Sequence, residues 1–223
     1  MFRKSESSLW SSYDLPPVSY GLGAQETRRR LWHFLPGLIA LMLPLIPHQE
    51  VVRLWVMLII VAFGIIVPAM LAIRYQHVYT RHQSEDIAPS IFGYVIPLTV
   101  LALLFRGTLE IPLAVAAIIS FGDGSATLCG LLTRSQRLPW NPKKSVAGLA
   151  AFLVMGTLFA TFLYWVEASP AVAPWTAFLV VGPVVLVCAL VESLPSKVND
   201  NMSVGLVAAL LLILQQSLII GSF

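Results

Sequence analysis

The sequence predicts an all-α integral membrane protein of about seven transmembrane helices, its N-terminus cytoplasmic and its C-terminus on the opposite side. Three observations predict it. The composition is 57% apolar and 11% charged, against about 45–50% and about 25% in soluble domains. The apolar residues gather in runs suited to crossing a bilayer, and the basic residues fall almost wholly on one side of those runs. A soluble enzyme, a disordered tail and a disulfide-built secreted scaffold are thereby excluded. The two cysteines, Cys129 and Cys188, sit among apolar or small residues, where inert packing is the better reading.

A hydrocarbon core of about 30 Å asks for about 20 apolar residues in a helix. Seven runs are read as spans, at 31–47, 51–73, 88–105, 109–122, 146–166, 174–191 and 202–220. The first and fourth are short and hold Pro36, Pro44 and Pro112, so their existence is better defined than their ends. A re-entrant pair is the alternative for the third and fourth, which are joined tightly at 106–109. Residues 1–30 are polar, with Pro16, Pro17 and several serines and glycines, and read as a partly disordered cytoplasmic tail without a cleavable signal. Residues 31–223 then form one polytopic domain.

With seven spans, one side receives Arg3, Lys4, Arg28, Arg29, Arg30, Arg74, Arg81, Arg134, Arg137, Lys143, Lys144 and Lys197, twelve of the fourteen basic residues. The other side keeps Arg53 and Arg106. The positive-inside rule makes the first side cytoplasmic. The net charge of +3 is therefore an orientation signal, and no nucleic-acid partner is needed to explain it.

The unusual polar residues lie on that same side. Asp123 ends the fourth run between Gly122 and Gly124, with Ala126 and Gly130 continuing a small-residue face. That face reads either as close helix packing or as room for a ligand beside a carboxylate at the membrane edge, where ionisable groups are costly and commonly functional. Lys143 and Lys144 precede Ser145, which is placed to cap the fifth run; they mark the membrane boundary or, with the helix N-terminus, favour an anion. Glu192 ends the sixth run, and Asp200 and Asn201 open the seventh, where either could simply cap the helix. Acids at helix C-termini suit a hard cation, lysines at N-termini suit phosphate, and a few oxygen ligands with room for water and phosphate describe a Mg²⁺ site. His33 follows Arg28–Arg30 at the interface, as a structural residue or part of a polar pocket. The arginines would equally suit anionic membrane lipids. His77, His82 and Asp86 match no ligand spacing and read as a solvated loop.

In order along the chain, Gly122-Asp123-Gly124-x-Ala126, then Leu138-Pro139-x-Asn141-x-Lys143-Lys144-Ser145-x-Ala147-Gly148, then Val191-Glu192-Ser193-Leu194-Pro195 and Asp200-Asn201 resemble the phytol kinase branch of the polyprenol kinase family. That family includes dolichol kinases and CTP-dependent diacylglycerol kinases and is related to phosphatidate cytidylyltransferases. The likeness covers about eighty residues, and the segment Arg28–Gly37 resembles the family's opening. It implies CTP-dependent phosphorylation of a membrane isoprenoid alcohol of the phytol, farnesol or polyprenol type, at the cytoplasmic face of a bacterial plasma membrane or a photosynthetic membrane. On that reading Asp123 holds Mg²⁺, Asp200 is a second ligand or the base for the alcohol, and Glu192 and Asn201 orient the metal shell. Lys143, Lys144 and Ser145 neutralise phosphates, Gly122, Gly124 and Gly148 line the nucleotide site, and Arg30 or His33 completes the pocket. The chain departs from the family pattern at Thr127, where phytol kinases have an acid, at Leu131 and Leu132, where they have basic residues and a glycine, and at Asn199, often an aspartate there. Each change removes a possible metal or phosphate contact. Two rival readings are a cytidylyltransferase making a CDP-lipid, and a small transporter or assembly protein. The chain is short for the first, and the second lacks polar residues at mid-membrane.

Overall fold

The computed structural model describes residues 24–45, isolated positions between 62 and 74, and 97–101, 103–105, 108–133, 135–196 and 199–221. Helix α1, Ala24–Met42, ends in a tight turn at Leu43–Leu45. It begins ahead of the apolar run at 31 and takes in the three arginines of the expected tail.

Helix α2 runs unbroken over Glu110–Leu132. It is α-helical over Glu110–Ala117, π-helical over Ile118–Asp123 and α-helical again over Gly124–Leu132. This corrects the expectation that the span stops at Gly122 and that Asp123 terminates it. Glycines weaken an isolated helix, but here packing overrides propensity. A Cβ on Gly122 would stand 3.0 Å from the Phe152 ring of the next helix, and one on Gly148 would stand 2.7 Å from the Ala126 carbonyl oxygen. The small face is what lets the two helices approach, as the packing reading required. Ser125 Oγ fastens the contact, 3.0 Å from the Gly122 carbonyl and 3.1 Å from that of Ala151.

A short two-stranded β-ribbon follows, a small addition to an otherwise helical fold. Strand β1 (Arg137–Leu138) pairs antiparallel with β2 (Asn141–Ser145), Arg137 opposite Ser145 and Leu138 opposite Asn141. Helix α3 spans Val146–Glu167, α4 spans Pro174–Ser193 and α5 spans Asp200–Ile219, each within about two residues of its predicted run. Ser145 caps α3 as expected, its Oγ accepting from Gly148 N at 3.1 Å. Pro174 opens α4 at a position where its missing N–H has no intrahelical partner to lose. Helix α5 is capped by Asn199 rather than Asp200 or Asn201; Asn199 Oδ1 accepts from Asn201 N at 3.0 Å.

Helix α3 packs against α2 and α4, α5 packs against α4 and the start of α2, and α1 lies on α2. Phe121 stacks on Phe159 with centroids 4.0 Å apart and meets Phe34 at 5.9 Å, binding α1, α2 and α3 beside Asp123. The outward faces stay apolar: Leu206, Leu210, Leu214 and Leu218 form an exposed stripe along α5. Water would penalise such a surface and acyl chains would not. Among the described residues four helices are long and apolar enough to cross a membrane, and His33–Leu45 is a shorter apolar helix. The runs 51–73 and 88–105 lie for the most part outside the described residues.

Candidate functional site

Three segments distant in sequence meet at the ribbon end of the bundle. Lys144 on β2 extends its Nζ between two carboxylates, donating to Glu192 Oε1 at the end of α4 and to Asp200 Oδ2, 2.9 Å away, at the start of α5. Glu192 is buried, with 3% of its surface exposed, and the Asp200 side chain is the more open of the two. A buried carboxylate alone would cost several kcal/mol, so the ammonium is what permits Glu192 to be there. Burial by itself would lower the proton affinity of Lys144. The neighbouring charges, Glu192 first and Asp200 second, outweigh it, so the ammonium is held above the ordinary lysine value.

Asp123 approaches from the flank of α2, at the end of the π-helical stretch. Such stretches recur at functional sites because the extra residue re-aims the side chains around it. Its Oδ2 lies 3.1 Å from Nε2 of His33 on α1, and its charge bears on Glu192. Four helices and the ribbon thus contribute His33, Asp123, Lys144, Glu192 and Asp200 to one region.

The ribbon is stapled in place by residues to which sequence reasoning gave no site role. Asn141 Nδ2 donates to the Ser193 carbonyl at 3.1 Å while its Oδ1 accepts from Lys143 N at 3.1 Å. Trp140 Nε1 donates to Ser193 Oγ at 3.1 Å. These bonds fix β2 against the last turn of α4, which sets Lys144 beside Glu192. The signal was available in the polar Asn141 and Ser193 of the quoted motifs; their pairing across the chain was not.

The other expected site residues take different places. Gly122 and Gly148 lie in the α2–α3 contact, and a Cβ on Gly124 would stand 2.9 Å from the Phe34 ring of α1. The first amides of α3 are already taken: Val146 N by the Gln136 carbonyl at 2.9 Å, Ala147 N by Ser135 Oγ at 3.0 Å and Gly148 N by Ser145 Oγ at 3.1 Å. The positive charge at this end of α3 is therefore that of Lys143, whose side chain is exposed, and Lys144, with little from the helix end at Ser145. Asn201 is half-buried beside Asp200, its amide bonded to Asn199. Arg30 lies on α1, with its side chain outside the described residues.

Among the described residues no three His, Cys, Asp or Glu side chains already stand together as a metal cage. Glu192 and Asp200 offer carboxylate oxygens on the Lys144 ammonium, and Asp123 offers another beside His33. Carboxylate oxygens are the ligand type that Mg²⁺ takes, together with waters and phosphate oxygens.

No protein-family model matches the chain, and no solved structure is significantly similar to it. Curated proteins are similar. Phytol kinase 1, chloroplastic, of Arabidopsis thaliana is 28% identical over 200 residues, 83% of this chain and 65% of that protein. Farnesol kinase, chloroplastic, of the same plant is 31% identical over 127 residues, 52% and 39% of the two chains. Probable phytol kinase 3, chloroplastic, of Glycine max is 31% identical over 121 residues, 52% and 38%. The chain spans between 38% and 65% of the length of these relatives. They bear out what the loop motifs carry, a resemblance of this chain to the phytol kinase branch of the polyprenol kinase family.

Proposed function

We propose that the chain is a lipid-alcohol kinase that transfers the terminal phosphoryl group of CTP to the hydroxyl of a membrane isoprenoid alcohol, at the cytoplasmic membrane face. The observation that carries the reading is the convergence of Lys144, Glu192 and Asp200 from three segments at one end of an apolar helix bundle. The names of the similar plant proteins support the substrate class. Phosphoryl transfer calls for positioning and charge neutralisation rather than covalent participation of the protein, and this cluster supplies both.

In the proposed reaction the alcohol oxygen forms a bond to the terminal phosphorus as the bond to the leaving CDP oxygen breaks. Asp200, the more open carboxylate on Lys144, accepts the hydroxyl proton. Lys144 shares its ammonium hydrogens with the phosphate oxygens, and Lys143 adds charge from the exposed side of the ribbon. Asp123 and Glu192 would hold Mg²⁺, with Asn201 beside them, and His33 keeps the Asp123 carboxylate oriented. Bound there, the metal would neutralise the charge spread over the phosphate oxygens. The apolar tail remains among the spans, so only the hydroxyl has to reach the polar region. Incubating membranes that contain the protein with CTP and phytol or farnesol tests the reading: a product heavier than the alcohol by one phosphate supports it, and a lipid carrying CMP contradicts it.

A further inference from the structure

A polar cluster that this chemistry does not use lies at the other end of the bundle. Glu110 opens α2, Tyr164 lies in the last turn of α3 and Gln216 in the last turn of α5. They are 1%, 0% and 7% exposed respectively. Gln216 Nε2 donates to Glu110 Oε1 at 3.2 Å. Three buried oxygens are left without a partner: Glu110 Oε2, Gln216 Oε1 and Tyr164 Oη. Among the described residues, the titratable groups that bear on Glu110 are Tyr164 and Glu167, both on α3, while α5 presents the non-titrating Gln216. No ion pair among the described residues compensates Glu110.

The donor count decides what this cluster holds. An ionised Glu110 only accepts hydrogen bonds, and the Gln216 carbonyl only accepts, so neither orphaned oxygen can satisfy the other. The charge would also stand uncompensated in an apolar interior. One proton on Oε2 changes both facts. The acid and the amide then form a cyclic pair, Nε2–H to Glu110 Oε1 and Oε2–H to Gln216 Oε1, which satisfies two of the three orphans and removes the charge.

We propose that Glu110 holds a proton at neutral pH and that its neutral acid–amide pair with Gln216 is a positioning tie between α2 and α5. These helices carry Asp123 and Asp200, so the tie sets, from the far end, how the two site carboxylates stand relative to each other. Only this consequence rests on the kinase reading; the protonated pair stands on its own geometry.

Thermal melting and infrared spectra of the purified protein in lipid nanodiscs test it. Glu110→Gln reproduces the donor and acceptor of the protonated acid without having to take up a proton on folding, so it is expected to melt with the wild type in acidic buffer and at or above it at neutral pH. A proton taken up on folding stabilises fully only below the ordinary glutamate value of about 4.3, and that stability is lost progressively as the pH rises, so the wild type should melt progressively lower from mildly acidic to alkaline buffer and E110Q should not share that fall. Gln216→Leu should melt several degrees lower at neutral pH. The wild-type-minus-E110Q infrared spectrum should show the carbonyl band of a protonated carboxyl that shifts in D₂O. The proposal is overturned if E110Q fails to assemble or melts lower than the wild type at neutral pH, or if the spectrum shows carboxylate bands. A stabilisation by Na⁺ over choline at equal ionic strength, absent from E110Q, would also overturn it by placing a cation where the proton is proposed.

Discussion

Lys144 Nζ lies 2.9 Å from Asp200 Oδ2, joining the ribbon before α3 to the first turn of α5 across 56 positions of sequence. The same ammonium holds the buried Glu192. Removing it leaves an uncompensated buried carboxylate, a loss of about 3–5 kcal/mol. Lys144→Met should therefore lower the melting temperature markedly, and Lys144→Met with Glu192→Gln should recover most of the loss. Melting curves of the two variants check this. Equal melting of Lys144→Met and wild type would mean that the pair contributes nothing.

The acid–base behaviour of that lysine follows from its neighbours. Its proton affinity is raised in the fold, so its contribution to stability is fully present below the ordinary lysine value of about 10.4 and is lost only as the pH rises through the higher folded value. In an E110Q background, melting should hold steady through moderately alkaline buffer and fall beyond about pH 10.4. Adding Lys144→Met should remove that late fall. A fall that begins near neutrality and vanishes with Lys144→Met would contradict the assignment.

Two glycines make a matched pair for packing. A Cβ at Gly148 meets the Ala126 backbone oxygen at 2.7 Å, whereas one at Gly182 meets the Phe178 ring at an ordinary 3.5 Å. Gly148→Ala should destabilise by about 1–3 kcal/mol because backbone must move, and Gly182→Ala should be close to neutral. Melting of both variants in the same lipid tests the difference.

Asn141 is half of the staple that seats the ribbon. Asn141→Ala removes its bonds to the Ser193 carbonyl and the Lys143 amide, with an expected loss of about 1–3 kcal/mol for the buried partners left behind. Kinase activity is expected to fall about tenfold for each 1.4 kcal/mol of misplacement at Lys144. Assay at saturating and limiting CTP separates poorer nucleotide binding from slower transfer.

Much of the membrane-spanning part was legible. The bilayer demands apolar runs of a fixed length, so α3, α4 and α5 fall almost where composition placed them. The cap at Ser145 was legible too, because a hydroxyl just before an apolar run has one obvious job. Asp123 was read as the end of a span because the apolar run stops there, between two glycines. In the fold, Phe152 and the Ala126–Gly148 contact give those small residues a reason to stay helical. The ribbon escaped notice because its strands are two and five residues long, with Pro142 and two lysines obscuring any alternation. Glu110 drew no reading from the sequence, since its partner Gln216 lies 106 positions away and neither residue carries a motif.

The central claim is that Asp123 and Lys144 serve one phosphoryl-transfer site. Its most direct test follows transfer of γ-labelled phosphate from CTP to phytol or farnesol in membranes containing wild type, Asp123→Asn or Lys144→Ala at matched folded protein. The account predicts labelled alcohol phosphate from the wild type and a loss of about 10²-fold or more in each variant. Undiminished labelling in both variants would contradict it.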